Sequence, residues 1–212
     1  LGVACGAHAL HDGYTDLIYV MLPVWQHEFA LGYAALGLMK TVFSGTLAGF
    51  QIPMGYLAER FGAPLVLALG TAIAGLGYCI AGASSGVAML VVALFIGGLG
   101  ASTQHPLASS LIAHAFSGAR SRKALGTYNF AGDIGKMTVP AAASLLLVVL
   151  PWREALALLG GFGVLAAAVI FVAMPRQAAA TAAASKSDKS GAQATHRRYG
   201  FPLLLSVGVL DS

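Results

Sequence analysis

The chain has 212 residues, of which 58% are hydrophobic and 9% charged, with a mean hydropathy of +0.78 and a formal net charge of +4. Soluble domains carry roughly 25% charged residues, so this composition excludes a soluble globular domain and points to a membrane protein. The basic residues lie at the ends of apolar runs and not on an amphipathic face with interleaved aromatics, which argues against nucleic acid as a partner.

Hydropathy divides the chain into six apolar runs and the start of a seventh. The runs are near the roughly 20 residues that a helix needs to cross a bilayer and lack the alternation of barrel strands, so the expected fold class is all-α membrane protein. The first run extends from about Val3 to Leu22, and His8, Asp12 and Asp16 recur in it every four residues, on one helical face, with His11 beside them. The second, Ala34 to Tyr56, carries Lys40 and a Gly45-x-x-x-Gly49 pair suited to close helix contact. The third, Pro64 to Ala83, and the fourth, from about Val87 to beyond Gln104, are marked by Gly70, Gly75 and Gly77 and by Gly97, Gly98 and Gly100. The fourth leads into Gln104-His105-Pro106, where proline frees a backbone carbonyl next to a titratable ring. The fifth covers about Ala124 to Leu150 and holds Asp133 and Lys136; the sixth covers about Ala155 to Met174.

These boundaries give a transmembrane bundle over residues 1–174. Residues 175–200 turn to Ala, Ser, Thr, Lys and Gln, the composition of a weakly structured linker. Apolar sequence resumes over residues 201–212 as a truncated start of a seventh helix, and the chain reads as cut at both ends. A signal peptide is not expected, since the first run has no basic leader and carries acids and histidines in its middle. Cys5 and Cys79 sit inside apolar runs as small hydrophobes, with no disulfide or ligand role assigned.

The loops that hold Arg60, then Arg120, Arg122 and Lys123, then Arg176, Lys186, Lys189, Arg197 and Arg198, alternate with loops that hold only Arg153. The positive-inside rule therefore puts the N-terminus and the linker in the cytoplasm. Trp25 and Trp152 then fall at the outer interface, where indoles are favoured.

Asp12, Asp16, Lys40, Asp133 and Lys136 would each cost about 2.5 to 3.5 kcal/mol at a helix centre, so each needs a partner, water or neutralisation. Asp16 and Lys40 both lie about 9 Å from the outer ends of their spans and can pair. Asp133 can pair with Lys136 three residues on, or with His105 from the fourth span. His8, His11 and Asp12 could ligate zinc, but the spacing is loose and no further ligand stands beside them, so no metal is assigned.

Gly55-Tyr56-Leu57-Ala58-Glu59-Arg60-Phe61-Gly62, a charged turn between the second and third runs, resembles the loop signature of the major facilitator superfamily. Glu59 stands where that family usually has aspartate. The resemblance implies one half of a twelve-helix transporter, whose missing C-terminal half is a partner, in a bacterial inner membrane. It implies that the first and fourth spans line a central cavity, and that Gly55, Glu59, Arg60 and Gly62 form a turn in which the acid binds the end of a neighbouring helix. The His105-Pro106 pair, the basic Arg120-Ser121-Arg122-Lys123 loop and the polar stretch Gly126-Thr127-Tyr128-Asn129 are similar to the fosmidomycin-resistance branch of that family, across roughly residues 8 to 140. Gly126, Gly135 and Pro140 resemble the fifth-span signature of the superfamily's exporters, with Val139 in place of a glycine.

These readings converge on a proton-coupled antiporter that exports a small organic molecule by alternating access. Asp12 is the expected proton carrier and Asp16 the second choice; His8, His11, Lys40, Gln104, His105, Asn129, Asp133 and Lys136 complete the candidate cavity. Desolvation would raise such a carboxylate's pKa and a nearby cation would lower it, which is the physical basis of proton coupling. Uptake of an organic anion with protons is the alternative, with Lys40, Lys136 and the histidines supplying positive charge. A non-transporting membrane sensor is a third reading. No nucleophile with an adjacent base and no nucleotide loop appears, so neither an enzyme nor a cofactor is expected.

Overall fold

The computed structural model describes residues 1–104, 107 and 118–173. They form six helices: α1 (Gly2–Glu28), α2 (Tyr33–Phe61), α3 (Ala63–Gly82), α4 (Val87–Ala101), α5 (Gly118–Val149) and α6 (Trp152–Ala173). All belong to one compact unit, Leu1–Ala179. The linker and the start of a seventh helix lie outside the described residues, as does His105.

Among the described residues, α3, the Arg120–Val149 part of α5, and α6 are both long and apolar enough to cross a membrane, and α4 is a shorter apolar helix. The 27 residues of α1 and 29 of α2 span about 40 Å, ample for a bilayer, but are diluted by acids, histidines and other polar groups. The expected all-α membrane fold is the one observed.

Small residues decide which helices touch, since lipid offers no hydrophobic drive between them. Gly75 of α3 faces the carbonyl of Gly160 in α6, and Gly160 faces the carbonyl of Gly75, so the two backbones approach through reciprocal gaps. Gly77 and Gly100 do the same between α3 and α4, and Gly98 lets α4 lie against the backbone of Phe43 in α2. Between α1 and α5, Gly13 faces Val139 and Gly135 faces the carbonyl of Ala9. The main core forms where these seams meet, around Leu17, Ile18, Met21, Trp25, Phe43, Tyr78, Leu94 and Leu156. Buried phenols are satisfied there: the Tyr78 hydroxyl donates to the Tyr14 carbonyl and the Tyr14 hydroxyl to the Leu159 carbonyl, tying α3 to α1 and α1 to α6.

Several expectations are corrected. The segment from Gly55 to Phe61 is the last part of α2 and not a turn; the chain reverses at Gly62, whose φ of 92° favours a residue without a side chain. Glu59 and Arg60 are exposed, Arg60 lies over the Phe61 ring, and Glu59 makes no ion pair among the described residues. Gly45, Gly49, Gly55 and Gly126 face open space, so the Gly-x-x-x-Gly pair of α2 joins nothing within this unit. The indoles are packed inside the bundle and not open at its surface: Trp25 is fully buried, and Trp152 is buried under Phe29 and Arg153. Finally, α4 stops at Ala101, where Ser102 and Thr103 turn their hydroxyls back onto the carbonyls of Leu99 and Gly100.

Candidate functional site

Midway along α1, about 15 Å from its first residue, the side chains of His8, His11 and Asp12 are buried against α5. The backbone of α5 comes close at Gly132, where a methyl group would stand 2.6 Å from Asp12 Oδ2 and 2.6 Å from His8 Nε2. That gap lets Lys136, one turn further along α5, reach over to Asp12. Its Nζ lies 3.4 Å from Asp12 Oδ2 and 3.4 Å from Asp133 Oδ1. On the other side of the carboxylate, His8 Nδ1 lies 3.5 Å from Asp12 Oδ1. The Tyr128 ring stacks on His8 at 3.9 Å between centroids, nearly parallel at 6°, and seals the pair from the end nearer Ala4.

The burial of this cluster is graded. The Asp12 side chain is 7% exposed, that of Lys136 45% and that of Asp133 68%, so the chain of charges runs from the interior to the open face of α5. Two carboxylates share one ammonium. With His8 neutral, two carboxylates against one ammonium leave the cluster a formal excess of one negative charge. Pro140 adds a local weakness, because it has no N–H to offer the Lys136 carbonyl four residues back in α5.

Beside the charged cluster lies a small cavity at the junction of α1, α3 and the end of α4, lined by Leu10, His11, Tyr14, Thr71, Ala74, Gly100, Thr103 and Gln104, with room for about one water. Gln104 is almost fully buried and also faces the Tyr128 hydroxyl, so the cavity and the Asp12 cluster meet through His11, Gln104 and Tyr128. Among the described residues, no group of three or more His, Cys, Asp or Glu side chains is arranged to hold a metal ion.

A buried carboxylate–lysine–histidine cluster in an all-helical membrane unit restricts the choice of family, and a family model decides it: the model described as Major Facilitator Superfamily matches residues 4–210. The chain belongs to the Major Facilitator Superfamily. It is 29% identical over 163 residues to a probable sulfoacetate transporter of Cupriavidus necator, an alignment covering 76% of this chain and 37% of the relative. It is 29% identical over 149 residues to a fosmidomycin resistance protein of Escherichia coli, covering 69% of this chain and 36% of the relative. A probable L-galactonate transporter of Escherichia coli matches at 25% identity, covering 66% of this chain and 31% of the relative. The chain thus spans about a third of the length of these curated relatives. The fold resembles a bacterial homologue of the human lysosomal transporter Spinster in an inward-facing, unoccupied conformation, with a TM-score of 0.70 at 19% identity, covering 82% of this chain and 42% of that one. Six helices against 42% of a solved superfamily chain is the size of one half of the fold.

The structure brings together His8, His11, Asp12, Asp133, Lys136 and Gln104. It does not bring in Asp16, Lys40 or Asn129. Asp16 and Lys40 form no ion pair, correcting the expected one: Lys40 Nζ sits 4.4 Å above the Tyr19 ring, and Asp16 is partly exposed on α1. Equal depth in two helices does not fix the rotation of either one. Asn129 is exposed on the Asp133 side of α5. In the fifth-span motif, Gly135 meets α1, Gly126 faces open space, and Pro140 lies within the helix. Of the two partners expected for Asp133, Lys136 is the one seen; the His105 alternative lies outside the described residues.

Sequence reasoning missed the Asp12–Lys136 contact and the parts played by Tyr128 and Gly132. A signal for the last two was present: Tyr128, Gly132, Gly135 and Val139 fall at i, i+4, i+7 and i+11, the one helical stripe of α5 that packs on α1.

Proposed function

We propose that the chain is one half of a secondary transporter that couples the movement of a small organic molecule to protons by alternating access, with Asp12 as the proton carrier. The observation that carries this reading is the buried Asp12 carboxylate held between His8 and Lys136, in a cluster one proton short of neutrality. A carboxylate there is pulled two ways, since the lysine favours its charged form and burial disfavours it. A small rearrangement that moves Lys136 is enough to change its proton affinity. A proton biases alternating access only through different affinities in the inward-open and outward-open states, and a carboxylate that gains and loses its cation between states supplies that difference. The N-terminus is taken to face the cytoplasm, as the distribution of lysine and arginine supports.

Export by exchange with protons is supported by the partial fifth-span motif and by a relative named for fosmidomycin resistance. Uptake of an organic anion together with protons is supported by the half-exposed Lys136 and by relatives named as transporters of sulfoacetate and L-galactonate. The test is proton movement in proteoliposomes holding the full-length protein, with an imposed pH gradient and a panel of small organic compounds. Wild type should dissipate the gradient with at least one compound and Asp12→Asn with none, and the sign of the pH change separates exchange from joint movement. If no compound moves protons, or the mutant behaves as wild type, Asp12 is not the carrier.

A further inference from the structure

Lys136 is the one cation in the described bundle that contacts two carboxylates at once, a buried one and an exposed one, while 45% of its own side chain stays open. Lys40 of α2, by contrast, lies over an aromatic ring and makes no ion pair among the described residues. An ammonium held by two acids and still half open is poised to exchange one acid for another. Asp133 is 68% exposed on the open face of α5, so it is not enclosed when Lys136 leaves it. Asp12 is buried and cannot be abandoned as an anion, but it can be abandoned as a neutral acid.

We propose that Lys136 binds the anionic group of the transported molecule, and that this group replaces Asp12 on the ammonium as Asp12 takes up a proton. The inference rests on the proton-coupled reading above and chooses within it. The ligand class is a small organic anion bearing a carboxylate, sulfonate or phosphonate, each of which offers an ammonium the same charged acceptor oxygens. Protonation of Asp12 releases Lys136, so a proton strengthens anion binding, and by reciprocity the anion strengthens proton binding. A cationic substrate would give the opposite sign, because it would compete with the proton for Asp12.

The groups that face Asp12 are consistent with this exchange. From its own helix, His8 stands against the second carboxylate oxygen and His11 lies one turn round, stacked 6.5 Å from His8. From α5 come Lys136, Asp133 behind it, and Tyr128 through its stack on His8. Among the described residues, α2 and α6 bring no ionised partner to Asp12: Lys40 is over Tyr19, and Arg153 is engaged by Glu28 at the far end of the bundle. His8 Nδ1 stands 3.5 Å from Asp12 Oδ1, near enough to steady the carboxyl when Lys136 leaves, since an imidazole nitrogen can donate to a carboxylate or accept from a carboxylic acid.

The test uses the full-length protein in proteoliposomes with matched probes: glycolate, methanesulfonate and methylphosphonate, their neutral amide or ester counterparts, and methylamine as a cation. The acids should drive proton movement and the neutral and cationic probes should not. The half-saturating concentration of an active acid should fall as pH falls. Asp12→Asn should bind the acid at the low-pH affinity and lose the pH dependence. Lys136→Gln should raise the half-saturating concentration roughly tenfold or more, as loss of one charge-assisted hydrogen bond does, with Lys136→Arg retaining most of the binding. If Lys136→Gln does not fold because it leaves Asp12 unpaired, the double variant Asp12→Asn/Lys136→Gln removes both charges and should fold without binding the acid. Neutral or cationic probes that move protons as well as the acids, or acid binding that weakens as pH falls, overturn this inference and leave the proton-coupled reading intact. Probes of every charge that move no protons overturn both.

Discussion

The bundle has two kinds of helix seam, and they are built from opposite materials. The seams of α3 with α6 and with α4 are close-packed: glycines at 75, 77, 82, 100 and 160 let backbone lie on backbone, and the main core beside them is mostly apolar, with two phenols satisfied by carbonyls. The seam of α1 with α5 uses glycines too, at 13, 132 and 135, but the space opened at Gly132 is filled by Asp12, His8 and, one turn on, Lys136. At those five glycines the gap is occupied by another main chain, which has no alternative arrangement. In the charged seam the gap at Gly132 is occupied by ends of side chains, which can move, while Gly135 still meets the main chain of Ala9. The comparison assigns rigidity to one part of the unit and exchange to the other.

The sharpest way to break it is to fill a gap in each seam. Gly100→Ala puts a methyl group against the backbone of Ala74 and Gly70, neither of which can step aside, and should destabilise the protein by about 3 kcal/mol. Loss of the monodisperse species in detergent size-exclusion and of expression in the membrane would report it. Gly132→Ala is the matched change in the charged seam: its methyl meets the flexible ends of Asp12 and His8, so stability should fall by no more than about 1.5 kcal/mol. The carboxylate must swing toward or away from Lys136, and the pH profile of proton-coupled transport should shift. Equal stability losses for the two substitutions would erase the distinction between the seams.

A smaller effect tests the end of the bundle, outside the membrane-spanning segments. Arg153 donates to Glu28 at 2.8 Å and to the Ser84 carbonyl at 3.2 Å, and its guanidinium lies over the Trp152 ring, joining the end of α1 to the α3–α4 loop and the start of α6. The hydrogen bond from Arg153 holds the Glu28 carboxyl below its usual range. A group with a depressed folded pKa stabilises above its unfolded pKa and loses that contribution as pH falls through the folded value. Glu28→Gln should therefore lower the thermal midpoint slightly at pH 7, and the gap should shrink as pH falls through the acid range in which wild type protonates Glu28 and loses the same interaction. A gap between the two proteins that stays constant with pH would mean that Arg153 is held by Ser84 and Trp152 alone.

The lengths of the apolar runs, the small charged fraction and the Gly62 reversal are local properties, and they determined the helix count, the membrane class and the family. The intramembrane charges were also legible, because ionisable residues in hydrocarbon are costly wherever the helix lies. What the sequence could not determine was rotation. The second-span Gly45 and Gly49 look as fit for packing as Gly75 or Gly100, yet they face open space, because which side of a helix meets a neighbour depends on every other helix at once. The same holds for charge: Asp16 and Lys40 matched in depth and do not pair, whereas Asp12 and Lys136, 124 positions apart, do. Residue type and spacing fix what a side chain needs; only the packed bundle decides which partner, or which opening, satisfies it.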